Sequence, residues 1–239
     1  MRRAINPWTI GLLAILAYFA IRNGAMNDPI AWLMNIVIML PGIVIGLSFH
    51  EFAHALVAYK LGDDTPKIQG RVTINPLAHI DPIGLLAILL IRFGWGKPVE
   101  IYPPNFKHRR RDTILVGLAG VMMNLFIAIF FTLGLKLLLT IVGVNFFIAG
   151  MGNSIFMMIY YIIFINLMLM IFNLLPVPPL DGFSVITEVF NLRKSEFYYW
   201  VSNKGFLILM VLIIFNITGL VLTPAINFFM GIVDKVIYL

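Results

Sequence analysis

The chain has 239 residues, of which 61% are hydrophobic and only 12% charged, and its mean hydropathy is +0.96. This composition excludes an ordinary soluble domain and indicates a membrane protein. The formal net charge of +6 could suggest binding to nucleic acid. However, the basic residues lie in short loops between long charge-free runs, so membrane orientation explains them better and no nucleic-acid partner is expected. Cysteine is absent, which excludes disulfides and thiolate zinc ligands.

The charge-free runs predict an all-α polytopic membrane protein with about five to six transmembrane helices, because one crossing needs about 20 apolar residues. We expect a single membrane-embedded domain over residues 1–239. The predicted spans lie at about Trp8–Ile21, Ile30–Tyr59, Thr113–Leu135, Ser154–Leu175 and Gly205–Leu222. The second is long enough to be tilted, or broken at Pro41–Gly42.

The segments between the spans carry weaker signals. Turn formers precede Lys67–Ile74, which alternates weakly and predicts a short strand or hairpin on the cytoplasmic side. Ile83–Ile91 is apolar but too short to cross, so it is interpreted as re-entrant or interfacial. The basic cluster Lys107–Asp112 could bind acidic lipid, although topology anchoring is favoured. Prolines in Asn173–Gly182 break the helix before it, and Phe183–Phe190 is expected to resume as a half-helix.

The distribution of basic residues predicts the orientation. If the N-terminus is cytoplasmic, 14 of the 17 lysines and arginines fall on that side, and only Arg22, Lys136 and Lys235 do not. This is a strong positive-inside bias.

The pentapeptide "HEFAH" places three ionisable residues inside a predicted span. His50 and His54 are four residues apart, so on a helix both imidazoles point the same way and can reach one zinc ion. Glu51 lies beside the first histidine and is placed to act as a general base without being a ligand. Each buried ionisable group costs about 2.5–3.5 kcal/mol in a membrane. A metal site is therefore favoured over a chance helical pair.

A catalytic zinc ion usually takes a third protein ligand. The candidates are Asp81, Asp181, Glu188 and His79. Asp181 is favoured because it follows the proline-broken helix, and unwound backbone at membrane depth is tolerated where it lines a cavity. The predicted topology also brings it toward the cytoplasmic side, as it does His54. The alternative is a helix-capping aspartate. For His79 and Asp81, a second metal site is possible in principle, but loop hydrogen bonding is favoured.

At this point the chain resembles a known family. "HEFAH" followed far downstream by "NLLPVPPLDG", with "GRVTINPLAHIDPIG", "GWGKPV" and "LAGVMMN" between them, is similar to the site-2 protease family of intramembrane zinc metalloproteases. The likeness covers about residues 40–190 and is strongest to compact members without PDZ or CBS domains. It implies one Zn2+ per chain, bound by His50, His54 and Asp181, with Glu51 as catalytic base. It also implies that Asn124 lies near the active site, although Gly120–Val121 stands where the family usually has glycine-proline. The alternative for Asn124 is a hydrogen bond that only packs two helices together.

The expected function is therefore hydrolysis of peptide bonds in or near transmembrane segments of membrane-protein substrates. The expected location is a prokaryotic cell (inner) membrane, with the active site opening to the cytoplasm, and the expected partners are the lipid bilayer and a substrate with a transmembrane helix. A substrate could pair with the Lys67–Ile74 edge as an added strand. Asn124, Gly70, Val72, Ile74 and Asn173 are predicted to bind substrate or line the active site. The alternatives are a metal-ion or solute transporter and a catalytically silent, family-like binding protein. The oligomeric state stays open.

Overall fold

The computed structural model describes residue 21 and residues 27–91 and 94–238. The predicted first span, Trp8–Ile21, lies outside the described residues except for its last position. Eight α-helices run through the described part of the chain, in the order α1 Pro29–Lys60, α2 Thr65–Ile68, α3 Pro82–Ile91, α4 Arg109–Val142, α5 Gly150–Asn173, α6 Asp181–Val189, α7 Glu196–Ile214 and α8 Ile217–Tyr238.

Five of these helices are long and apolar enough to cross a membrane: α1, α4, α5, α7 and α8. The shortest, α7, has 19 residues, and α4 has 34. Since each residue adds about 1.5 Å, all of them approach or exceed the bilayer's hydrocarbon thickness of about 30 Å. The prediction of a helical integral membrane protein is confirmed. Helix α1 continues through Pro41 without a break.

The strand predicted at Lys67–Ile74 is wrong, and the described residues contain no strand at all. Local hydrogen bonds explain the difference. The carboxylate of Asp63 accepts from the amide and the hydroxyl of Thr65, which starts the turn of α2, and Gly70 then reverses the chain with a φ of 68°. The amides of Gly70 and Arg71 bond back to the carbonyls of Lys67 and Pro66, so this part of the segment is a turn and not an extended strand.

Asp63 also ties this loop to the segment that precedes α4. It is fully buried and accepts from the amide of Tyr102 and the side chain of Asn105. Burial alone would raise the pKa of the Asp63 carboxyl, but the hydrogen bonds from Thr65, Tyr102 and Asn105 outweigh it and hold the pKa below its usual range.

The interpretation of Ile83–Ile91 as a re-entrant piece is not supported. The segment forms the ten-residue helix α3, which begins after Asp81 because the Asp81 carboxylate accepts from the amides of Ile83 and Gly84. Its apolar residues, Leu85, Ile88 and Leu89, pack on a core cluster formed by α1 and α5.

The structure does not show a single last span at Gly205–Leu222, because two successive helices, α7 and α8, each long and apolar enough to cross a membrane, occupy this region. Ser195 caps α7, its hydroxyl accepting from the amide of Tyr198. The turn between the helices falls at Phe215 and Asn216, and Asn216 has a φ of 56°, a left-handed conformation that asparagine tolerates. No charged residue marks this turn, so the apolar run continues across it.

Helices α1, α4 and α5 pack against one another, α6 packs on α4, and α8 packs on α4 and α5. Two glycines let α1 approach α5 closely. A Cβ at Gly42 would lie 2.9 Å from Ile165 Cδ1, and one at Gly46 would lie 2.7 Å from Leu169 Cδ1. Small residues at such a contact are typical of membrane helices. The turn of α1 that carries His50 is thereby held between α4 and α5.

Candidate metal centre

Three side chains converge where α1, α4 and α6 meet. His50 and His54 project from consecutive turns of α1, and Asp181 is the first residue of α6. The two Nε2 atoms are 3.0 Å apart, and Asp181 Oδ2 lies 3.1 Å from the first and 3.3 Å from the second. Both histidines are 6% exposed, whereas the Asp181 side chain is 22% exposed, so the cluster is buried on the histidine side and reachable at Asp181. The structure thus brings together the three residues that the sequence predicted as ligands.

Hydrogen bonds at the far side of each ring decide which nitrogen carries the proton. His50 Nδ1 lies 2.6 Å from Asn124 Oδ1, and His54 Nδ1 lies 2.7 Å from the carbonyl oxygen of Val116. Both oxygens can only accept, so both Nδ1 atoms must donate. In the neutral rings the two Nε2 lone pairs therefore face each other and Asp181 Oδ2, an arrangement that is repulsive without a cation between them.

The spacing of these atoms fits zinc. A tetrahedral zinc ion with ligand bonds of about 2.0–2.1 Å separates its ligand atoms by about 3.3–3.4 Å. The observed separations of 3.0–3.3 Å are close to this value. Two neutral imidazoles and a carboxylate oxygen, each imidazole anchored by an outer hydrogen bond, form a donor set that suits this ion. Asp181 shows no helix-capping hydrogen bond, so the capping alternative does not describe it.

Gly120 on α4 makes room for the histidines. A Cβ at this position would lie 2.5 Å from His54 Nε2 and 2.5 Å from His50 Cε1. Any side chain here would displace the rings. The glycine of "LAGVMMN" is thus required by the close packing of α4 on the site.

The outer hydrogen-bond partners were only partly predictable. Asn124 was expected near the active site, and the structure shows that it contacts His50 directly. Its amide nitrogen donates to the carbonyl of Gly46 and to Asn166 Oδ1. Asn166 was missed, although an asparagine in the middle of a predicted span was a visible signal.

Glu51 points toward the extended segment Gly94–Glu100, the "GWGKPV" stretch. Its Oε2 accepts a hydrogen bond of 2.9 Å from the amide of Val99. Arg71, 5% exposed, holds this segment in place by donating to the carbonyls of Lys97 and Pro98, and it also bonds to the carbonyl of Ala78. The segment and its arginine clamp were not predicted from the sequence.

The remaining candidates do not join the cluster. The Nε2 atom of His79 bonds to the carbonyl oxygen of Thr73, and Asp81 caps α3, which agrees with the loop interpretation. The carboxylate of Glu188 pairs with Arg193. Among the described residues, the group able to hold a metal ion is His50, His54 and Asp181.

Four residues predicted to bind substrate lie apart from the metal cluster. Gly70, Val72 and Ile74 lie in the loop that follows α2, where no strand is present to pair with a substrate. The amide of Asn173 bonds to the carbonyl of Leu169 in its own helix. Their role in substrate binding stays a prediction.

Comparison with known proteins identifies the family. The family model of peptidase family M50 matches residues 138–213. The Bacillus subtilis (strain 168) protein YwhC, named as a candidate zinc metalloprotease, is 38% identical over 200 residues, which cover 83% of this chain and 89% of the relative. The chain belongs to peptidase family M50. The Rip2 proteins of Mycolicibacterium smegmatis and Mycobacterium tuberculosis (strain H37Rv), named in the same way, are 28% and 27% identical. These matches cover 95% and 97% of the chain and 85% and 87% of the relatives. No solved structure matches significantly.

As an M50 peptidase with membrane-crossing helices, the protein is an intramembrane metalloprotease of the site-2 protease type. The names of its relatives support zinc as its metal. A transporter or a metal carrier is not favoured.

Proposed function

We propose that His50, His54 and Asp181 hold one zinc ion per chain and that Glu51 is the general base that hydrolyses a peptide bond of a membrane-protein substrate. The observation that supports this most strongly is the convergence of two Nε2 atoms and a carboxylate oxygen within 3.3 Å of one another. When bound, zinc supplies Lewis acidity, which polarises the scissile carbonyl and lowers the pKa of water.

Glu51 is arranged to move one proton. Its Oε2 is held by the amide of Val99, so Oε1 is the oxygen that takes the proton from the attacking water. The water oxygen then forms a bond to the carbonyl carbon of the substrate. When the carbon–nitrogen bond breaks, Glu51 returns the proton to the leaving amine, so that one carboxylate serves as base and then as acid.

The depth of the site suits a substrate that enters from the membrane. His54 lies six residues before Lys60 at the end of α1, about 9 Å along the helix. A transmembrane substrate must unwind near its end to expose a peptide bond at this depth. We propose that this end of the bundle faces the cytoplasm of a prokaryotic cell, as the basic residues indicate.

The decisive experiment compares zinc content and cleavage in the same preparations. Glu51→Gln should retain one zinc per chain and lose cleavage of a reconstituted transmembrane substrate, because the amide cannot take a proton. Glu196→Gln, which changes an exposed acid in the first turn of α7, is the matched control and should leave both unchanged. Cleavage that persists in Glu51→Gln would refute the assignment of the base.

A further inference from the structure

Asn166 is a fully buried polar residue in the middle of α5. Its amide nitrogen donates to the carbonyl of Ile162, 2.8 Å away, and its Oδ1 accepts from Asn124 Nδ2 at 2.9 Å. Its hydrogen bonds in the described structure go to Asn124 and Ile162 and not to the three metal-binding side chains. Burying an asparagine in a membrane helix costs free energy unless its polar atoms are hydrogen-bonded. Here one of these hydrogen bonds goes to Asn124, which contacts His50.

Hydrogen bonds connect the Ile162 carbonyl, Asn166, Asn124 and His50 in series, and the Ile162 carbonyl determines which groups in the series donate and which accept. The Ile162 carbonyl can only accept, so Asn166 must turn its nitrogen toward it and its oxygen toward Asn124. Asn124 then presents its nitrogen to Asn166 and to the Gly46 carbonyl. Its oxygen is left for His50 Nδ1–H. A reversed Asn124 amide would put a donor against this ring and remove the Nε2 lone pair from the site.

We propose that Asn166 is a positioning residue that, together with the Gly46 carbonyl, holds the Asn124 amide in the orientation that selects the His50 tautomer able to bind metal. This inference rests on the proposed zinc site. Outer partners of metal-binding histidines typically change metal affinity by about 10–100-fold when they are removed. An asparagine that only joined α4 to α5 would alter stability and leave zinc affinity unchanged.

The test measures zinc affinity of the purified full chain by competition with a chelator. Asn166→Leu should weaken zinc binding by about tenfold or more. Asn166→Asp should restore much of the affinity, because a neutral carboxylic acid can donate to the Ile162 carbonyl and accept from Asn124. The control is Thr132→Val on α4, which removes a buried hydrogen bond of 2.7 Å to the Ala128 carbonyl away from the site and should retain wild-type affinity.

A double-mutant cycle distinguishes an effect of Asn166 that is transmitted through Asn124 from two independent effects on zinc affinity. If Asn166 acts through Asn124, then Asn124→Leu combined with Asn166→Leu should bind zinc no more weakly than Asn124→Leu alone. Additive losses, or wild-type affinity in Asn166→Leu, would overturn the inference while leaving the zinc site intact. Failure of the wild-type protein to bind zinc would instead refute the proposed function, and the inference with it.

A second, independent feature is a basic pocket of about 500 Å3 between the start of α4, the end of α6 and the start of α7. Its principal lining side chains are Arg109, Arg110, Arg193, Lys194, Tyr198 and Tyr199. Helices α4 and α7 are both membrane-crossing candidates and begin here, so the pocket lies at the same end of two candidate spans.

The charges of the pocket are not balanced within the protein. Glu188, an acid in its wall, is paired with Arg193. Arg110 donates to the carbonyls of Glu188 and Val189 at the end of α6. Arg109 and Lys194 have no ion-pair partner among the side chains that the structure describes. Two uncompensated cations beside two tyrosine side chains suit a phosphate group.

We infer that this pocket binds a phosphate group, either that of an anionic phospholipid or inorganic phosphate. The test uses wild-type protein in nanodiscs of phosphatidylcholine with or without phosphatidylglycerol, and native mass spectrometry to count retained lipids. Arg109→Gln with Lys194→Gln should reduce phosphatidylglycerol retention about tenfold without unfolding the protein, because Arg110 and Arg193 keep their structural bonds.

The matched control, Lys60→Gln with Lys107→Gln, removes two exposed charges that do not line the pocket and should retain the lipid. Displacement of the lipid by millimolar inorganic phosphate would identify free phosphate as a ligand of the same pocket, and resistance would assign the lipid. Equal loss in both double variants, or none in either, would overturn the inference and leave general attraction to an anionic surface.

Discussion

Gly120→Ala is the sharpest perturbation of the metal centre because it adds one methyl group where the structure has no room. The new Cβ would lie 2.5 Å from His54 Nε2 and 2.6 Å from His50 Nδ1. Neither ring can swing away freely, since Asn124 holds His50 and the Val116 carbonyl holds His54. The rings or the helix must shift by several tenths of an ångström, which spoils the alignment of the Nε2 atoms.

The free-energy cost of the clash in Gly120→Ala can be obtained by comparison with Gly134→Ala on the same helix. Both substitutions gain about 0.5–1 kcal/mol of helix stability, but a Cβ at Gly134 meets nothing within 4 Å. The difference in unfolding free energy between the two variants therefore isolates the clash, which should amount to about 1–3 kcal/mol. Zinc affinity should fall about 10–100-fold in Gly120→Ala and stay unchanged in Gly134→Ala.

The assay is a chelator competition for zinc, together with thermal unfolding in detergent with and without zinc. Gly120→Ala should unfold at a lower temperature than Gly134→Ala and should gain less from added zinc. Wild-type zinc affinity in Gly120→Ala would refute the close packing of α4 on the histidines, and with it the geometry from which zinc binding is argued.

Four further predictions test other parts of the structure. His54→Ala should lose stoichiometric zinc in elemental analysis, and full retention would remove this residue from the site. Arg71→Leu should retain zinc but lower the cleavage rate by about tenfold or more, because the segment that orients Glu51 loses its clamp; an unchanged rate would contradict this role. Asp63→Asn should cost about 1–3 kcal/mol of stability at pH 7. Because the folded pKa of Asp63 is lowered, its contribution is present above about pH 4 and is lost as the pH falls through the folded value, so wild-type protein should lose more stability than Asp63→Asn between pH 7 and pH 3. Since the chain has no cysteine, single cysteines at positions 194 and 216 can be labelled selectively, and they should react with impermeant reagents from opposite sides of the membrane; labelling of both from the same side would show that α7 does not cross, and no labelling at position 216 would restore the single crossing at Gly205–Leu222.

The metal ligands could be predicted because their chemistry is unusual for their surroundings. His50 and His54 are ionisable groups at helical spacing inside an apolar helix, and Asp181 follows prolines that end a span. Each ionisable side chain in an apolar span costs free energy, and one bound cation would compensate that cost for all three residues. The contact with Asn166 could not be derived in this way, because it depends on how α5 is rotated against α4, and this rotation is set by packing rather than by sequence spacing.

The errors in the fold have a different physical origin. The strand signal in Lys67–Ile74 came from β-branched residues, but the Asp63 carboxylate supplies local hydrogen bonds that favour a helical turn. The turn at Asn216 was hidden because hydropathy reports only whether a segment is apolar, and the run from Gly205 to Val233 contains no charge. Polar side chains reveal a loop only where the loop is long enough to be exposed to water, whereas a tight turn of two residues can form with a single polar side chain.

Dividing the last segment into α7 and α8 also changes the charge distribution. With one crossing, Lys235 falls on the side opposite to most basic residues, whereas two crossings return it to the side of Lys194. It then joins thirteen of the basic residues already assigned there; Arg22 and Lys136 remain exceptions, and Lys204 now lies within α7, eight residues after its first residue. The observed helices therefore support the proposed cytoplasmic orientation as well as the predicted ones do, since fourteen of the 17 basic residues lie on that side in both cases. The same end of the bundle carries Lys60, the last residue of α1, which holds His54, and Arg109, the first residue of α4, which holds Gly120. An experiment that determines which end faces the cytoplasm therefore also determines the side from which the metal centre is reached.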